Sequence, residues 1–184
     1  MNVLGIDAGF TALGVAVVKV DEKSPTLPLG SLVYRNCVRT DRSKDRDSVT
    51  TDDAKRITQL VDEYLKIVET YRPDVAVAEL PTGGARGAGA IKGMAFSTSM
   101  TVTALHLLKV KMIIISPLAN KKASTGNPNA EKSQVMSAVG KFWPGIVWPR
   151  LPKGKIDMVY AEAVCDALST IVWWSKSFKT GRSW

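Results

Sequence analysis

The opening stretch of the chain constrains its fold more than any other. Val3, Leu4 and Ile6 make an apolar run that reads as a buried strand, and the run ends on a carboxylate, Asp7. Ala8 and Gly9 open a turn, and a second apolar run from Leu13 to Val18 reads as the returning strand of a hairpin. Asp7 therefore stands at the end of a strand inside a core, where an unpaired charge is strongly disfavoured. A bound cation offsets that penalty, and Gly5 and Gly9 leave room for backbone or ligand to come close. The plain alternative is an aspartate accepting hydrogen bonds within a tight turn. This stretch alone supports both readings.

A length of 184 residues with 45% apolar side chains fits one domain with a substantial core. Lys and Arg outnumber Asp and Glu by 25 to 17, a formal net charge of +8 that suits a polyanionic partner without specifying one. Cys37 and Cys165 belong to no Cys-x-x-Cys pair, which argues against a disulfide framework or zinc site and suits a reducing cytosol. The N-terminal apolar run has no basic leader and is interrupted by Asp7, so neither a signal peptide nor a membrane span is expected, and the expected location is cytoplasmic.

Asp21 to Pro28 reads as a polar turn and Leu29 to Val38 as a third strand. A charge-mixed loop follows, with Arg42, Lys44 and Arg46. Thr50 or Thr51 caps a long amphipathic helix, with Asp52 and Asp53 at its positive end and Ile57, Leu60, Val61, Tyr64, Leu65, Val68 and Tyr71 on a core stripe. Pro73 ends it. Asp74 to Glu79 is another short strand ending on a carboxylate. The run Thr82 to Gly89 lacks the Gly-Lys-Ser/Thr ending of a Walker loop and reads as a flexible loop beside a site. A helix from about Ile91 to Leu108 puts Met94, Phe96, Met100, Leu105 and Leu107 in the core, with His106, the only histidine, in a structural role.

Lys111 to Ser116 is the fifth strand, and the order β-β-β-α-β-α-β predicts an α/β domain with a mixed sheet. Pro117 to about Asn129 reads as a loop carrying Lys121, Lys122, Thr125, Gly126 and Asn127, followed by a helix with Lys132 and Ser133. Such groups before a helix start suit phosphate contacts; a solvated basic loop is the plain alternative. Phe142 to Lys155 is an irregular connection. The last helix runs from about Asp157 to Trp174, with Asp157 as a possible N-cap. On it Glu162 and Asp166 share one face among Ala161, Ala163, Val164, Ala167 and Leu168, where two like charges repel unless a cation bridges them. Residues 1–175 are expected to form the single domain and 176–184 a frayed basic tail.

Asp7, Glu79, Glu162 and Asp166 thus make an oxygen-only set, which points to a hard cation, Mg²⁺ or Mn²⁺. Two such ions about 3.5–4 Å apart can activate a water and stabilise the leaving oxygen in phosphodiester cleavage. In a basic protein this set reads as a nuclease.

Four blocks, in order along nearly the whole chain, resemble the RuvC-type Holliday junction resolvases of the ribonuclease H-like superfamily. Leu4-Gly5-Ile6-Asp7-Ala8-Gly9 with Gly14-Val15-Ala16 looks like the family's first hairpin and first catalytic Asp. Glu79 after Val75-Ala76-Val77-Ala78 resembles its strand-four Glu. Thr125-Gly126-Asn127 with Ala130-Glu131-Lys132-Ser133-Gln134-Val135 is similar to its basic loop and following helix, where Lys121 and Lys132 match the two family lysines. Asp166-Ala167-Leu168 resembles the Asp-Ala-Leu of its last helix. Two departures stand out. The family's second Asp, three residues before the last, is Ala163 here, and Glu162 is the substitute on the same face, ahead of Asp157. The aromatic wedge that many cellular members carry after the strand-four Glu is replaced by Pro81-Thr82-Gly83-Gly84, which fits a viral or prophage branch in a bacterial cell or phage-infected host, or broader branched-DNA preferences.

The resemblance implies a ribonuclease H-like fold, a five-stranded mixed sheet with helices on both faces. It implies Mg²⁺-dependent endonucleolytic cleavage of branched DNA, four-way junctions foremost, leaving 5′-phosphate and 3′-hydroxyl ends. Asp7, Glu79, Glu162 and Asp166 would hold the metal, and Lys121 would stabilise charge at the scissile phosphate. Lys122, Thr125, Asn127, Lys132 and Arg86 would join Lys121 in DNA contact. A homodimer would form through the helix from Ile91 to Leu108. Three rivals remain at this point: an actin-like or sugar-kinase-type ATPase, for which a second hairpin half is missing; a small RNA-processing nuclease; and a catalytically weak or dead junction-binding module.

Overall fold

Side-chain alternation decides which layer each strand residue meets. The structure, a computed structural model, describes residues 1–20, 29–43, 48–84 and 86–179. The turn expected at 21–28, the loop residues Lys44 and Arg46, and the end of the basic tail lie outside the described residues. Strands β1 (Asn2–Asp7), β2 (Ala12–Lys19) and β3 (Ser31–Arg39) form an antiparallel meander. Strands β4 (Val75–Glu79) and β5 (Met112–Ile115) add in parallel on the other side of β1, giving the order β3-β2-β1-β4-β5. This is the mixed five-stranded α/β sheet that the sequence predicts.

Helices α1 (Val49–Tyr71) and α2 (Ala88–Leu107) cover one face, packing Leu60, Tyr64, Ile67, Met100 and Leu105 against Leu4, Ile6, Leu13, Val15, Val17, Ala76 and Ala78. Helices α4 (Lys132–Phe142) and α5 (Met158–Lys179) cover the other, where Val164, Ala167, Leu168 and Ile171 meet Val3, Ala16, Val18, Val75, Val77 and Ile113. A short helix α3 (Pro117–Thr125) packs beside α5 on that side. By the same period of two, Asp7 follows Val3 and Gly5, and Glu79 follows Val75 and Val77, so both carboxylates belong to the α5 layer.

Two glycines bring α5 onto the sheet. A Cβ at Gly5 would lie 2.1 Å from the Ala167 carbonyl oxygen, and one at Gly14 would lie 2.1 Å from that of Ala163. The room at Gly5 is therefore filled by helix backbone. Gly9 serves its own turn, since a Cβ there would meet the Ala12 carbonyl at 2.2 Å.

Several expectations are corrected. The α1 cap is Ser48, whose Oγ accepts from the Thr51 amide at 3.1 Å. Asp52 and Asp53 are buried: Asp52 accepts from the Ser43 amide at 2.8 Å, and Asp53 is ion-paired with Lys92 from α2. His106 and Leu107 are exposed, because Leu105 takes the core position at that end of α2. The segment expected as a loop before Asn129 is helix α3 over most of its length. Ser116 caps it by accepting from the Ala119 amide at 3.2 Å, Pro117 opens its first turn, and Gly126 closes it at φ 84°. Helix α5 runs on through Lys179, so the start of the expected tail is helical, and Lys176 Nζ donates to the Ala123 carbonyl at 2.6 Å.

Candidate active site

The parallel β1–β4 pair sets the first two carboxylates side by side: Asp7 is the register partner of Glu79, and the Ala8 amide donates to the Glu79 carbonyl at 3.1 Å. Asp166 comes from α5, one residue before the Ala167 carbonyl that lies over Gly5. Helix α3 closes the arrangement through Asn120, which is fully buried. Its Nδ2 donates to Glu79 Oε2 at 2.5 Å and to the Asp166 carbonyl at 3.0 Å, and Ser169 Oγ donates to the Asn120 carbonyl at 3.1 Å. Nothing in the sequence singled out Asn120, since a buried amide carries no periodic signature.

The three carboxylates destabilise one another as anions. Burial pushes Asp7 well above the usual carboxylate range, and the charges of Asp166 and Glu79 add to this against an opposing effect of Lys132. Asp166 is pushed up to about 7, first by burial and then by Glu79, with Lys132 and Lys121 opposing. Glu79 is raised by burial, against the Asn120 hydrogen bond and Lys121. Lys121 and Lys132 thus both act on the site although they come from different helices.

The donor set suits a hard cation: carboxylate oxygens whose mutual repulsion a divalent ion would relieve. As the side chains stand, no group of three or more acidic, histidine or cysteine residues among the described residues is drawn together closely enough to hold a metal ion, so the carboxylates would have to close on it. Glu162 is committed elsewhere, since its Oε2 accepts from Lys132 Nζ. The reason is local. At Ala163 the helix backbone lies directly over Gly14, where a Cβ would come within 2.1 Å of the Ala163 carbonyl oxygen, and Ala163 offers no carboxylate there. Glu162 sits one step round the helix, towards α4. Asp157 has the capping role: its Oδ1 accepts from the Tyr160 amide at 3.2 Å and from Arg39. Burial pushes its carboxyl up, and these partners outweigh that and hold it below the usual range.

The remaining sequence candidates divide. Lys121 and Lys122 lie on α3, with Lys122 exposed. Thr125 Oγ1 donates to the Lys121 carbonyl at 2.7 Å and accepts from the Asn127 amide at 3.0 Å, while Asn127 Oδ1 accepts from the Asn129 amide at 2.9 Å. Thr125 and Asn127 therefore shape the α3–α4 turn, and both also line a cavity of about 520 Å³ with Ser133, Ser137 and Lys141. Arg86 is exposed in the glycine-rich loop, away from these groups in sequence. A second cavity, of about 490 Å³, has no signature in the sequence. It adjoins the β1–β2 turn at Ala8–Thr11 and is lined by Arg56, which stacks over the Phe10 ring at 4.1 Å.

These electrostatics predict a pH signature. A carboxyl whose folded pKa is raised stabilises the fold below its unfolded pKa, and that contribution is lost as pH rises through the folded value. For Asp166 the loss runs from about pH 4 to about 7. Without divalent metal, Asp166→Asn is therefore expected to melt higher than wild type at pH 8, by roughly 1–3 kcal/mol of stability. The gap should close towards pH 4. Thermal melts across that range in EDTA check it; an equal or lower melting temperature for the variant at pH 8 contradicts it.

A family model described as crossover junction endodeoxyribonuclease RuvC matches residues 3–143. A crossover junction endodeoxyribonuclease RuvC from Ruegeria pomeroyi is 31% identical over 169 residues, covering 91% of each chain. A protein of the same description from Thermotoga maritima is 24% identical, covering 92% of each. Among solved structures, Thermus thermophilus RuvC in complex with Holliday junction substrate superposes with a TM-score of 0.74 at 20% identity, covering 98% of this chain and 96% of that one. The yeast mitochondrial Holliday junction resolvase gives 0.60 at 16% identity, covering 97% and 80%. The shared fold is the ribonuclease H-like one expected from the sequence.

Proposed function

This chain belongs to the RuvC family of crossover junction endodeoxyribonucleases, and from that premise we propose that it resolves four-way DNA junctions by metal-dependent nicking. The observation that supports the chemistry is the side-by-side register of Asp7 and Glu79, with the charges of Asp166, Lys121 and Lys132 acting on them. Asp7, Glu79 and Asp166 would hold Mg²⁺ or Mn²⁺, with Glu162 joining them on release from Lys132. The ion would supply an activated water and neutralise charge developing at phosphorus.

The chain's own groups do the rest. Asp7 and Glu79 project from adjacent strands and fix one side of the site; Asp166 fixes the other from α5. Lys121, whose charge already acts on Glu79 and Asp166, would stabilise the pentacoordinate phosphate. A backbone phosphate that draws Lys132 away from Glu162 would bind the strand and free a carboxylate in one move. Lys122, Thr125, Asn127 and, on the far loop, Arg86 would extend the phosphate track. A homodimer would place two sites on a two-fold junction. Ile91 and Val102 leave apolar surface on the same side of α2, about three turns apart, which supports that helix as the interface.

The test is a synthetic four-way junction beside a matched linear duplex, each with Mg²⁺ or EDTA. Paired nicks across the junction, absent with EDTA, are the expected result. Equal cutting of both substrates would overturn the junction specificity, and no cutting with tight binding would point to a binding module instead.

A further inference from the structure

Asn120 is the most constrained polar side chain around the carboxylates. It has no exposed surface, and its single amide nitrogen is spent twice, on Glu79 Oε2 at 2.5 Å and on the Asp166 carbonyl at 3.0 Å. Its Oδ1 is buried with no hydrogen-bond partner. The amide orientation is nonetheless fixed, because rotating it would set Oδ1 against two acceptors at once. A buried acceptor left unpaired works against stability, and an apolar side chain of similar size would pack there without that penalty. The residue's placement thus makes sense through its donors.

The donors join three elements. Glu79 ends β4, Asp166 lies on α5, and Asn120 precedes Lys121 on α3. Ser169 Oγ from α5 donates to the Asn120 carbonyl, which ties α3 down a second time. With Oε2 held by an N–H, Oε1 is the Glu79 oxygen turned free for a cation.

We propose that Asn120 is a positioning residue. It orients the Glu79 carboxylate for the metal, while the bond from Ser169 to its backbone carbonyl keeps α3 seated on α5 whatever the side chain. The proposal rests on the metal-dependent nuclease reading above and extends it to a residue that touches neither the metal nor DNA.

The experiment uses the full chain and three measurements: calorimetric titration of Mn²⁺ into DNA-free protein, single-turnover nicking of a four-way junction against Mn²⁺ concentration, and junction binding in EDTA. Asn120→Leu keeps the branched outline of the side chain at somewhat greater bulk and removes both donors. It is expected to weaken Mn²⁺ binding and raise the half-saturating concentration for nicking by roughly 10–100-fold. Junction binding in EDTA should stay within about twofold, a split that general loss of packing would not produce. Asn120→Gln, which retains the donors, should recover part of the lost affinity. If leucine is not tolerated, Asn120→Ser, whose hydroxyl is too short to reach Glu79, is held to the same criterion. Mn²⁺ affinity unchanged within twofold in the leucine or serine variant would overturn the positioning role, as would glutamine binding Mn²⁺ more weakly than leucine. Wild-type protein that neither binds Mn²⁺ nor nicks would instead sink the nuclease reading itself, so the two failures are distinguishable.

Discussion

Asp7→Asn is expected to lower single-turnover junction nicking by at least about a thousandfold, the equivalent of roughly 4 kcal/mol of transition-state stabilisation. The substitution keeps the shape of the side chain and removes the charge that would hold the ion between β1 and β4. No neighbour can replace it: Glu79 and Asp166 are themselves ligands in the proposed site, and Glu162 hangs from α5, where Lys132 holds it, and not from the sheet. The fold should not suffer. Burial and the charges of Asp166 and Glu79 already oppose ionisation of Asp7, so a neutral amide relieves strain in the metal-free protein. Junction binding in EDTA should remain within about twofold of wild type, because the contacts assigned to binding are cationic and lie on other elements. Gel-resolved nicking and fluorescence anisotropy on the same labelled junction separate these effects. Nicking within tenfold of wild type would remove Asp7 from the chemistry.

Gly5→Ala should destabilise the fold strongly. The added Cβ would stand 2.1 Å from the Ala167 carbonyl oxygen, 2.8 Å from Ile171 Cγ1 and 2.9 Å from Thr170 Oγ1. The nearest of these is helix backbone, which cannot rotate out of the way, so α5 must move off the sheet. Overpacking in a rigid core costs about 1–3 kcal/mol and sometimes more, and contact with backbone places this case at the upper end. For a chain of this length that lowers the melting temperature by roughly 5–12 °C. Because α5 carries Asp166, the surviving folded fraction should also nick slowly even at saturating metal. A thermal melt followed by nicking at a temperature where the variant is folded tests both halves; an unshifted melt would mean that α5 is not seated as described.

Much of this architecture is legible in the sequence for simple physical reasons. Strands β1, β2 and β4 are buried apolar runs, and two of them end abruptly on an acid, so Asp7 and Glu79 stand out without any structure. Asp166 stands out because a charge four residues from another acid on an apolar helix face needs a partner. The illegible parts depend on contacts distant in sequence. Helix α3 buries Asn120, Ala123 and Ser124, small or polar residues that make no apolar stripe, so it passes for a loop. The glycines announce that something approaches closely without saying that it is α5. Asp53 reads only as a first-turn acid at the positive end of its helix because Lys92, which pairs with it, comes from another helix. Glu162 shares a face with Asp166 as its spacing requires, but Lys132 comes from α4 and claims its carboxylate.

The site has two halves measured by different rulers. Asp7 and Glu79 hang from neighbouring strands, so the distance between their backbones is the hydrogen-bonding repeat of a sheet, about 4.8 Å, whatever side chains surround them. Asp166 and Glu162 hang from a helix whose height above that sheet depends on two missing methyl groups and a buried amide. Substitutions can retune the second half by small steps, whereas the first changes only if the strand register slips, which would turn every side chain of the strand to the wrong layer. The exchange that sets Ala163 and Glu162 where the family pattern has its second aspartate lies in the adjustable half. Redesign of metal preference or cutting geometry in this protein therefore belongs on α5 and α3, with β1 and β4 left as the fixed scale.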